Sequence, residues 1–269
     1  MKIFKSKLFW ALFLFTLTFS AYFFSVKEIW FSLDDCGNII AGIIKEPKDL
    51  IKIFSEDERN YLYPINFNVP KANIISGFYR PMQHIFFSVI YYLFKFNARA
   101  YYFLNVFFHA INISLFFYLC SLFMPIFFSV IAGLLLAFYP VMDWITWIST
   151  LHNFLATFFM LLSLICFRFY WIKNKFIYIF LSALFFLFSI SSRENTIFLG
   201  VSIFLFSFIF CDNNNFLAKI KFAFKKTYLI LFVYIIYFLI RLYSFGLESL
   251  PRTFNNVSMR VPIIKKFLS

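Results

Sequence analysis

Apolar runs long enough to cross a membrane recur along this 269-residue chain. A helix needs about 20 mostly apolar residues to span the hydrocarbon core of a bilayer. Only 14% of the residues are charged and 62% are hydrophobic, whereas a soluble domain carries about 25% charged residues. The runs therefore predict an all-α, polytopic membrane protein. The seven predicted spans are Leu8–Val26, Tyr102–Phe123, Ile126–Pro140, Phe154–Trp171, Phe176–Ser191, Thr196–Cys211 and Tyr228–Phe245.

The first run also fits a signal peptide, because Lys2, Lys5 and Lys7 precede its apolar core. The core is long, however, and no small-residue A-x-A cleavage site follows it. We therefore expect an uncleaved membrane anchor.

Basic residues lie mostly beside the apolar runs, which argues against nucleic acid as a partner despite the net charge of +13. Lysines and arginines next to spans orient a membrane protein, with the basic connections on the cytoplasmic side. This rule predicts a cytoplasmic N-terminus, an outward-facing loop at 27–101 and a C-terminus outside. The basic clusters are Lys2, Lys5 and Lys7; Arg168, Lys173 and Lys175; and Lys219, Lys221, Lys225 and Lys226.

Most other ionisable residues near the spans fall on the predicted outer side. Ionisable groups are costly near a bilayer and often mark functional sites. Asp34 and Asp35 follow the first span, while Asn105, His109 and Asn112 share one face of the second span. The remaining residues are Arg80 and His84 before an amphipathic stretch at 85–96 that we read as an interfacial helix, then Asp143, His152, Arg193 and Glu194.

Structural interpretations exist for the same residues. The spacing of Asn105, His109 and Asn112 fits interhelical hydrogen bonding equally well. Arg193 and Glu194 fit a local ion pair at a span end. Three histidines with acids could bind a metal, but no HxxxH or HxxE spacing supports a metal site. The four cysteines form no C-x-x-C pair, so no disulfide framework is predicted.

Five short motifs, taken in order, resemble those of GT-C glycosyltransferases. The similarity is to the protein O-mannosyltransferase-like and transmembrane tetratricopeptide-containing branches, and it runs from Phe31 to Leu199. Arg193 stands where relatives have Lys, Met82 replaces Leu, and Asp143 stands where relatives often have Glu nearby. The motifs are "DD" at 34–35, "YRP" at 79–81, "NVFFHAIN" at 105–112, "AFYPVMDWITWIS" at 137–149 and "SISSREN" at 189–195.

The resemblance implies transfer of a sugar from a polyisoprenyl-phosphate donor to an acceptor hydroxyl of a protein, glycan or lipid. Transfer would occur on the periplasmic or luminal side, with inversion at the anomeric carbon. Asp34 would be the general base, supported by Asp35, because a second carboxylate raises the pKa of a carboxylate base. Neither a metal nor a nucleotide cofactor is expected. Donor or acceptor contacts would come from Arg80, His84, Asn105, His109, Asp143, His152, Arg193 and Glu194.

The alternative function is a lipid or glycolipid transporter without chemistry, and an inactive remnant of the family fold is a third. Transporters tend to show internal repeats and helices that are broken by Gly or Pro at the membrane midplane. This sequence has only 6 glycines and no evident repeat, and both points favour the enzyme. Family members continue past seven spans. We therefore expect the single membrane domain 1–269 to lack their C-terminal part, and to transfer little sugar without a partner chain.

Overall fold

The computed structural model describes residues 6–55, 79–139 and 145–245, without the side chains at 33, 34, 41, 55, 244 and 245. Within these ranges the regular structure is helical and no strand occurs, which confirms the all-α class. Two 3₁₀ turns, at Ile148–Thr150 and Glu194–Ile197, precede α7 and α9. The α-helices of the described ranges are α1 (Lys7–Phe23), α2 (Leu33–Ala41), α3 (Pro47–Ser55), α4 (Pro81–Phe94), α5 (Ala98–Cys120), α6 (Ile126–Ala137), α7 (Leu151–Lys173), α8 (Phe176–Ser192), α9 (Phe198–Ile209) and α10 (Phe216–Phe245).

Each predicted span coincides with one of these helices. Three segments are long and apolar enough to cross a membrane, namely Ala98–Cys120, Ile148–Lys173 and Phe216–Tyr243. The helices α1, α6, α8 and α9 are apolar but shorter. The length and composition of the three long helices indicate a membrane protein, and a crossing by each of the four shorter ones stays a prediction.

Two connections are more helical than the sequence pattern indicated. The last helix begins at Phe216, whereas the apolar run alone predicted a start at Tyr228. Its first turns contain Lys and Ala, which favour helix, and neither Gly nor Pro, so the helix begins before the apolar run does. The segment 27–101, predicted as a loop with one interfacial helix, carries α2 and α3 as well as α4.

Recognisable local signals set several helix ends. The Asn97 side chain accepts a hydrogen bond from the Arg99 backbone N–H at 3.1 Å and caps α5. Pro81 occupies the first position of α4, where its missing N–H is not needed. Asn174 ends α7 with a left-handed backbone, φ 51°, a conformation that Asn tolerates better than most residues.

Aromatic rings and small polar residues hold α1 and α5 together as an antiparallel pair. The rings of Phe19 and Phe103 lie 5.6 Å apart. Towards the other end, the Ser114 hydroxyl donates to the Ala11 carbonyl at 2.8 Å. At that end the Lys7 ammonium donates to the Ser121 carbonyl at 2.7 Å. The start of α1 and the end of α5 therefore lie at the same end of the bundle.

Buried serines join α7 and α8. The hydroxyls of Ser163 and Ser182 each donate to the carbonyl of the other residue at 2.9 Å. Ser189 donates in the same way to the Ala156 carbonyl, also at 2.9 Å. Small hydroxyl residues let apolar helices approach closely and supply hydrogen bonds where water is excluded.

The helices α9 and α10 approach each other closely at Gly200. The hydroxyl of Tyr234 donates to the Ile197 carbonyl and accepts from the Val201 N–H at 3.1 Å. A Cβ atom added to Gly200 would lie 2.5 Å from that hydroxyl oxygen. Glycine is therefore required sterically, because the tyrosine is fixed by both hydrogen bonds.

The bundle has two chemically different ends. The basic end contains the start of α1, the end of α7 and the start of α10, where the Lys226 ammonium donates to the Asn174 side chain at 2.8 Å. The polar end contains α2, α4 and the two 3₁₀ turns. Between the ends many large apolar side chains are exposed, among them Phe127 (68%) and Leu135 (72%). A surface of this kind fits contact with lipid chains.

Candidate functional site at the polar end

Asp35 lies in the first turn of α2, not in a polar loop as the sequence pattern suggested. Its Oδ2 accepts from the Ser32 backbone N–H at 2.8 Å, the carboxylate half of a capping box. Its Oδ1 accepts from both the backbone N–H (2.7 Å) and the hydroxyl (2.6 Å) of Ser149. The residue is 1% exposed. Asp35 therefore connects the start of α2 to the turn before α7.

Asp34 is the neighbouring residue in that first turn. The structure describes its backbone as helical and leaves its side chain undescribed. Asp143, another predicted binding residue, lies outside the described residues.

Ser149 is the residue on which this end of the bundle converges. Its hydroxyl accepts from the Asn38 side-chain amide at 2.8 Å. Its carbonyl accepts from Gln83 Nε2 at 2.8 Å and lies 2.9 Å from His152 Nδ1. Together with Asp35, these contacts tie α2, α4 and α7 to one serine.

The contact to Ser149 assigns a tautomer to His152. A carbonyl oxygen only accepts hydrogen bonds, so Nδ1 must carry the proton. In the neutral ring, Nε2 is then the acceptor atom. The imidazole lies within electrostatic range of Arg80, Arg193 and His84. These four residues and Glu194, which contacts Arg80, form the polar cluster of this end of the bundle.

Arginines and one glutamate form the second part of the site. Arg80 Nε lies 3.9 Å from Glu194 Oε2, and their side chains are 17% and 19% exposed. Glu194 Oε1 also accepts from the Tyr79 backbone N–H at 2.6 Å. Glu194 therefore contacts a distant arginine, Arg80, and it also acts electrostatically on its neighbour Arg193.

Arg193 approaches the same region from the end of α8. One of its guanidinium nitrogens donates to the Asn153 side-chain oxygen. Partial burial lowers the pKa of Arg193, the positive charge of Arg80 lowers it further, and Glu194 opposes the shift. Two guanidinium groups therefore lie close enough to repel each other, an arrangement that a bound anion would relieve.

A third arginine lies near this pair. The ring of Tyr79 packs against the ring of Tyr237 with centroids 5.9 Å apart. The Tyr237 hydroxyl accepts from Arg241 at 3.3 Å. Position 241 is near the end of α10, so the last helix also contributes a positive charge to the polar end.

His84 lies in the first turn of α4 and is buried, with an exposed fraction of 3%. Burial lowers its pKa to about 4; a hydrogen bond to the Asn38 backbone opposes this shift and the charge of Arg80 adds to it. The close approach of α2 depends on Gly42, where an added Cβ would lie 2.7 Å from the His84 carbonyl oxygen. His84 is therefore a buried residue, and its burial favours the neutral form of the ring.

The polar stripe of α5 donates to backbone carbonyls of neighbouring segments. Asn105 Nδ2 donates to the carbonyls of Ile145 (3.1 Å) and Trp147 (3.0 Å), and Asn112 Nδ2 donates to the Phe154 carbonyl at 2.9 Å. His109 Nε2 lies 3.5 Å from the Ala137 carbonyl. These contacts match the interhelical hydrogen bonding that the sequence left open. The two bonds of Asn105 also hold the 145–147 segment, which directly precedes Ser149.

Residues missed by sequence reasoning include Ser149, Gln83 and Asn38. Each carries a short, common polar side chain, and its importance comes from contacts with distant parts of the chain. Ser149 is the last residue of the "AFYPVMDWITWIS" motif and Gln83 lies two residues after "YRP", which is the signal that the sequence offers. Among the described residues, no group of three His, Cys, Asp or Glu side chains is arranged to hold a metal ion.

Comparison with known proteins adds no relative. No protein-family model, curated protein or solved structure matches the chain.

Proposed function

We propose that this chain is a membrane glycosyltransferase that takes a sugar from a polyisoprenyl-phosphate donor. The proposal is supported by the way the motif segments meet. Asp35 of "DD" contacts Ser149 of "WIS", Arg80 of "YRP" contacts Glu194 of "REN", and Asn105 holds the segment before Ser149. Segments far apart in the sequence are thus joined at the polar end.

The observation that carries the proposal is the contact of Arg80 with Glu194, which has Arg193 within electrostatic range. Two like charges in a partly buried place repel each other, so the arrangement costs free energy unless an anion is nearby. A guanidinium offers a planar fork of N–H donors that matches phosphate oxygens. Glu194 compensates one positive charge. A lipid phosphate would neutralise the net positive charge of Arg80, Arg193 and Glu194 taken together, with its chain lying along the exposed apolar helix faces.

The proposed reaction uses Asp34 as general base. The acceptor hydroxyl oxygen attacks the anomeric carbon and forms the new glycosidic bond. The bond from that carbon to the phosphate oxygen breaks, and its electron pair leaves with the lipid phosphate. Asp34 takes the hydroxyl proton. The arginines stabilise the phosphate as its negative charge grows.

Asp35 supports the base in this scheme. It is buried and both of its oxygens accept hydrogen bonds, so an acceptor hydroxyl has little access to it. Its contribution is to fix the first turn of α2, which carries Asp34, against Ser149. This division of roles follows the one implied by the family resemblance.

Donor binding tests the proposal apart from turnover. The purified chain should bind a short polyprenyl-phosphate sugar and bind the uncharged polyprenol much more weakly. Arg193→Gln and Arg80→Gln should each weaken donor binding by about tenfold or more, the worth of a charged hydrogen bond. The matched control is Arg99→Gln in the first turn of α5, outside the cluster.

Equal affinity for the phosphate sugar and the polyprenol would contradict the anion site. Tight binding with no transfer to any acceptor, together with donor movement between leaflets of proteoliposomes, would favour the transporter alternative.

A further inference from the structure

An open groove lies at the basic end of the bundle, far from the polar cluster. It is formed where α7 and α9 end and α10 begins, and it has a volume of about 770 Å³. Its walls combine aromatic and charged side chains. The residues that matter here are Trp171, Asp212, Lys221, Phe222, Lys225 and Lys226.

The groove carries excess positive charge. Three lysines and one aspartate line it, so the formal net charge of the lining is +2. Lys221 and Lys225 are exposed and stand four residues apart on one helix face, where like charges repel each other. An anion between them would remove this repulsion.

Lys226 is held differently from the other two lysines. Its ammonium lies 4.9 Å from the Tyr170 ring centroid and 5.8 Å from that of Trp171. It also donates to Asn174 at 2.8 Å. These contacts fix one positive charge at the inner wall, in a place partly shielded from water, where cation–π contacts are stronger than at an open surface.

Apolar surface continues from the groove along the helices. Ile209 and Phe210 at the end of α9 are 64% and 58% exposed, and Phe224 on α10 is 51% exposed. A soluble phosphate would use the lysines alone, whereas a phospholipid would also cover these apolar side chains. The groove sits at the end of the spanning segments Ile148–Lys173 and Phe216–Tyr243, which is the depth of lipid headgroups.

We propose that this groove binds the headgroup of an anionic glycerophospholipid, with the phosphate between Lys221, Lys225 and Lys226 and the acyl chains along α9 and α10. Basic grooves between membrane helices bind anionic headgroups in this way. A headgroup with free hydroxyls also suits Asp212, since a hydroxyl can donate to its carboxylate. The inference is independent of the sugar-transfer proposal.

Native mass spectrometry of the full chain in detergent micelles tests this site. The probes are dioleoyl phosphatidylglycerol, dioleoyl phosphatidylcholine with the same chains, and soluble glycerol 3-phosphate. The groove variant is Lys221→Gln/Lys225→Gln/Lys226→Gln. The control variant, Lys173→Gln/Lys175→Gln/Lys219→Gln, removes the same charge from the same end outside the groove lining. Size-exclusion profiles and unfolding curves establish that both are folded.

The wild-type chain should retain one phosphatidylglycerol in preference to phosphatidylcholine. The groove variant should lose this affinity by at least about tenfold, because each lysine near an anionic headgroup contributes about a fivefold factor. The control variant should stay within about threefold. Equal loss in both variants, equal retention of phosphatidylcholine, or competition by glycerol 3-phosphate as strong as by the lipid would each overturn the proposal.

Discussion

Asp35 and Ser149 are separated by 114 residues and joined by two hydrogen bonds to a single carboxylate oxygen. The donors are the backbone N–H and the hydroxyl of the serine, at 2.7 and 2.6 Å. Ser149 also accepts hydrogen bonds from Asn38, Gln83 and His152. The link to Asp35 therefore helps to fix how α2, α4 and α7 meet. The polar end therefore depends on contacts to one residue, two through its hydroxyl and three through its backbone.

Ser149→Ala should destabilise the chain. The change removes the hydroxyl donor from Asp35 and the acceptor for the Asn38 amide, and it leaves a buried carboxylate and a partly buried amide with fewer hydrogen bonds. The expected loss in the free energy of unfolding is about 1–3 kcal/mol, measured by denaturant unfolding in detergent. The control is Ser202→Ala, where an exposed hydroxyl bonds within its own helix and a change within about 0.5 kcal/mol is expected. Equal effects of the two changes would show that the junction adds no stability.

The sequence predicted the helices well because apolar runs report burial in lipid or protein directly. Seven runs correspond to seven helices, and the spacing of Asn105, His109 and Asn112 correctly placed them on one face of α5. Which carbonyls they reach depends on the 145–149 segment and on α6 and α7, and no local pattern contains that information.

The first turn of α2 carries a helix-start signal in its own sequence. Ser32 followed three residues later by Asp35 is a capping-box pattern, so a helix start was available as an interpretation of "SLDD". Two adjacent acids directly after an apolar span favour a polar loop instead, and that was the prediction which the structure corrects. The partner of Asp35 could not be predicted, since Ser149 is distant and serine is common at helix starts.

Stability should fall as the pH is lowered from about 6.5 towards about 4 through His84. Burial lowers the pKa of His84 from 6.5 to about 4. Between these values the unfolded chain binds a proton that the folded chain does not, so stability increases with pH in that window. The positive charge of Arg80 also disfavours protonation of this histidine.

His84→Gln should remove this part of the pH dependence. The measurement is the free energy of unfolding of both chains at several values from pH 4 to 7.5, with the wild-type curve steeper below about pH 6.5. Parallel curves for the two chains would show that His84 does not titrate in this window.

The basic and polar ends should face opposite sides of the membrane. The lysine clusters at the start of α1, the end of α7 and the start of α10 predict that the basic end is cytoplasmic. In a background with the four cysteines replaced by serine, Lys48→Cys on exposed α3 should react with an impermeant maleimide on intact cells. Asn214→Cys, also exposed, should react only after permeabilisation. The reversed labelling pattern would place the polar cluster on the cytoplasmic side and exclude an outer-leaflet donor.

Replacement of the two adjacent acids should separate catalysis from folding. Asp34→Asn is expected to lower sugar transfer by about a hundredfold or more, the usual effect of losing a general base, with little change in stability.

Asp35→Asn puts an amide where one carboxylate accepts from both Ser149 and the Ser32 N–H. It should cost about 1–3 kcal/mol of unfolding free energy and lower transfer mainly by lowering the folded fraction. Transfer rates per folded molecule, with the folded fraction taken from size-exclusion chromatography, distinguish the two effects. Full activity of folded Asp34→Asn would remove Asp34 as the base, and a folded, stable but inactive Asp35→Asn would assign that role to the buried carboxylate instead.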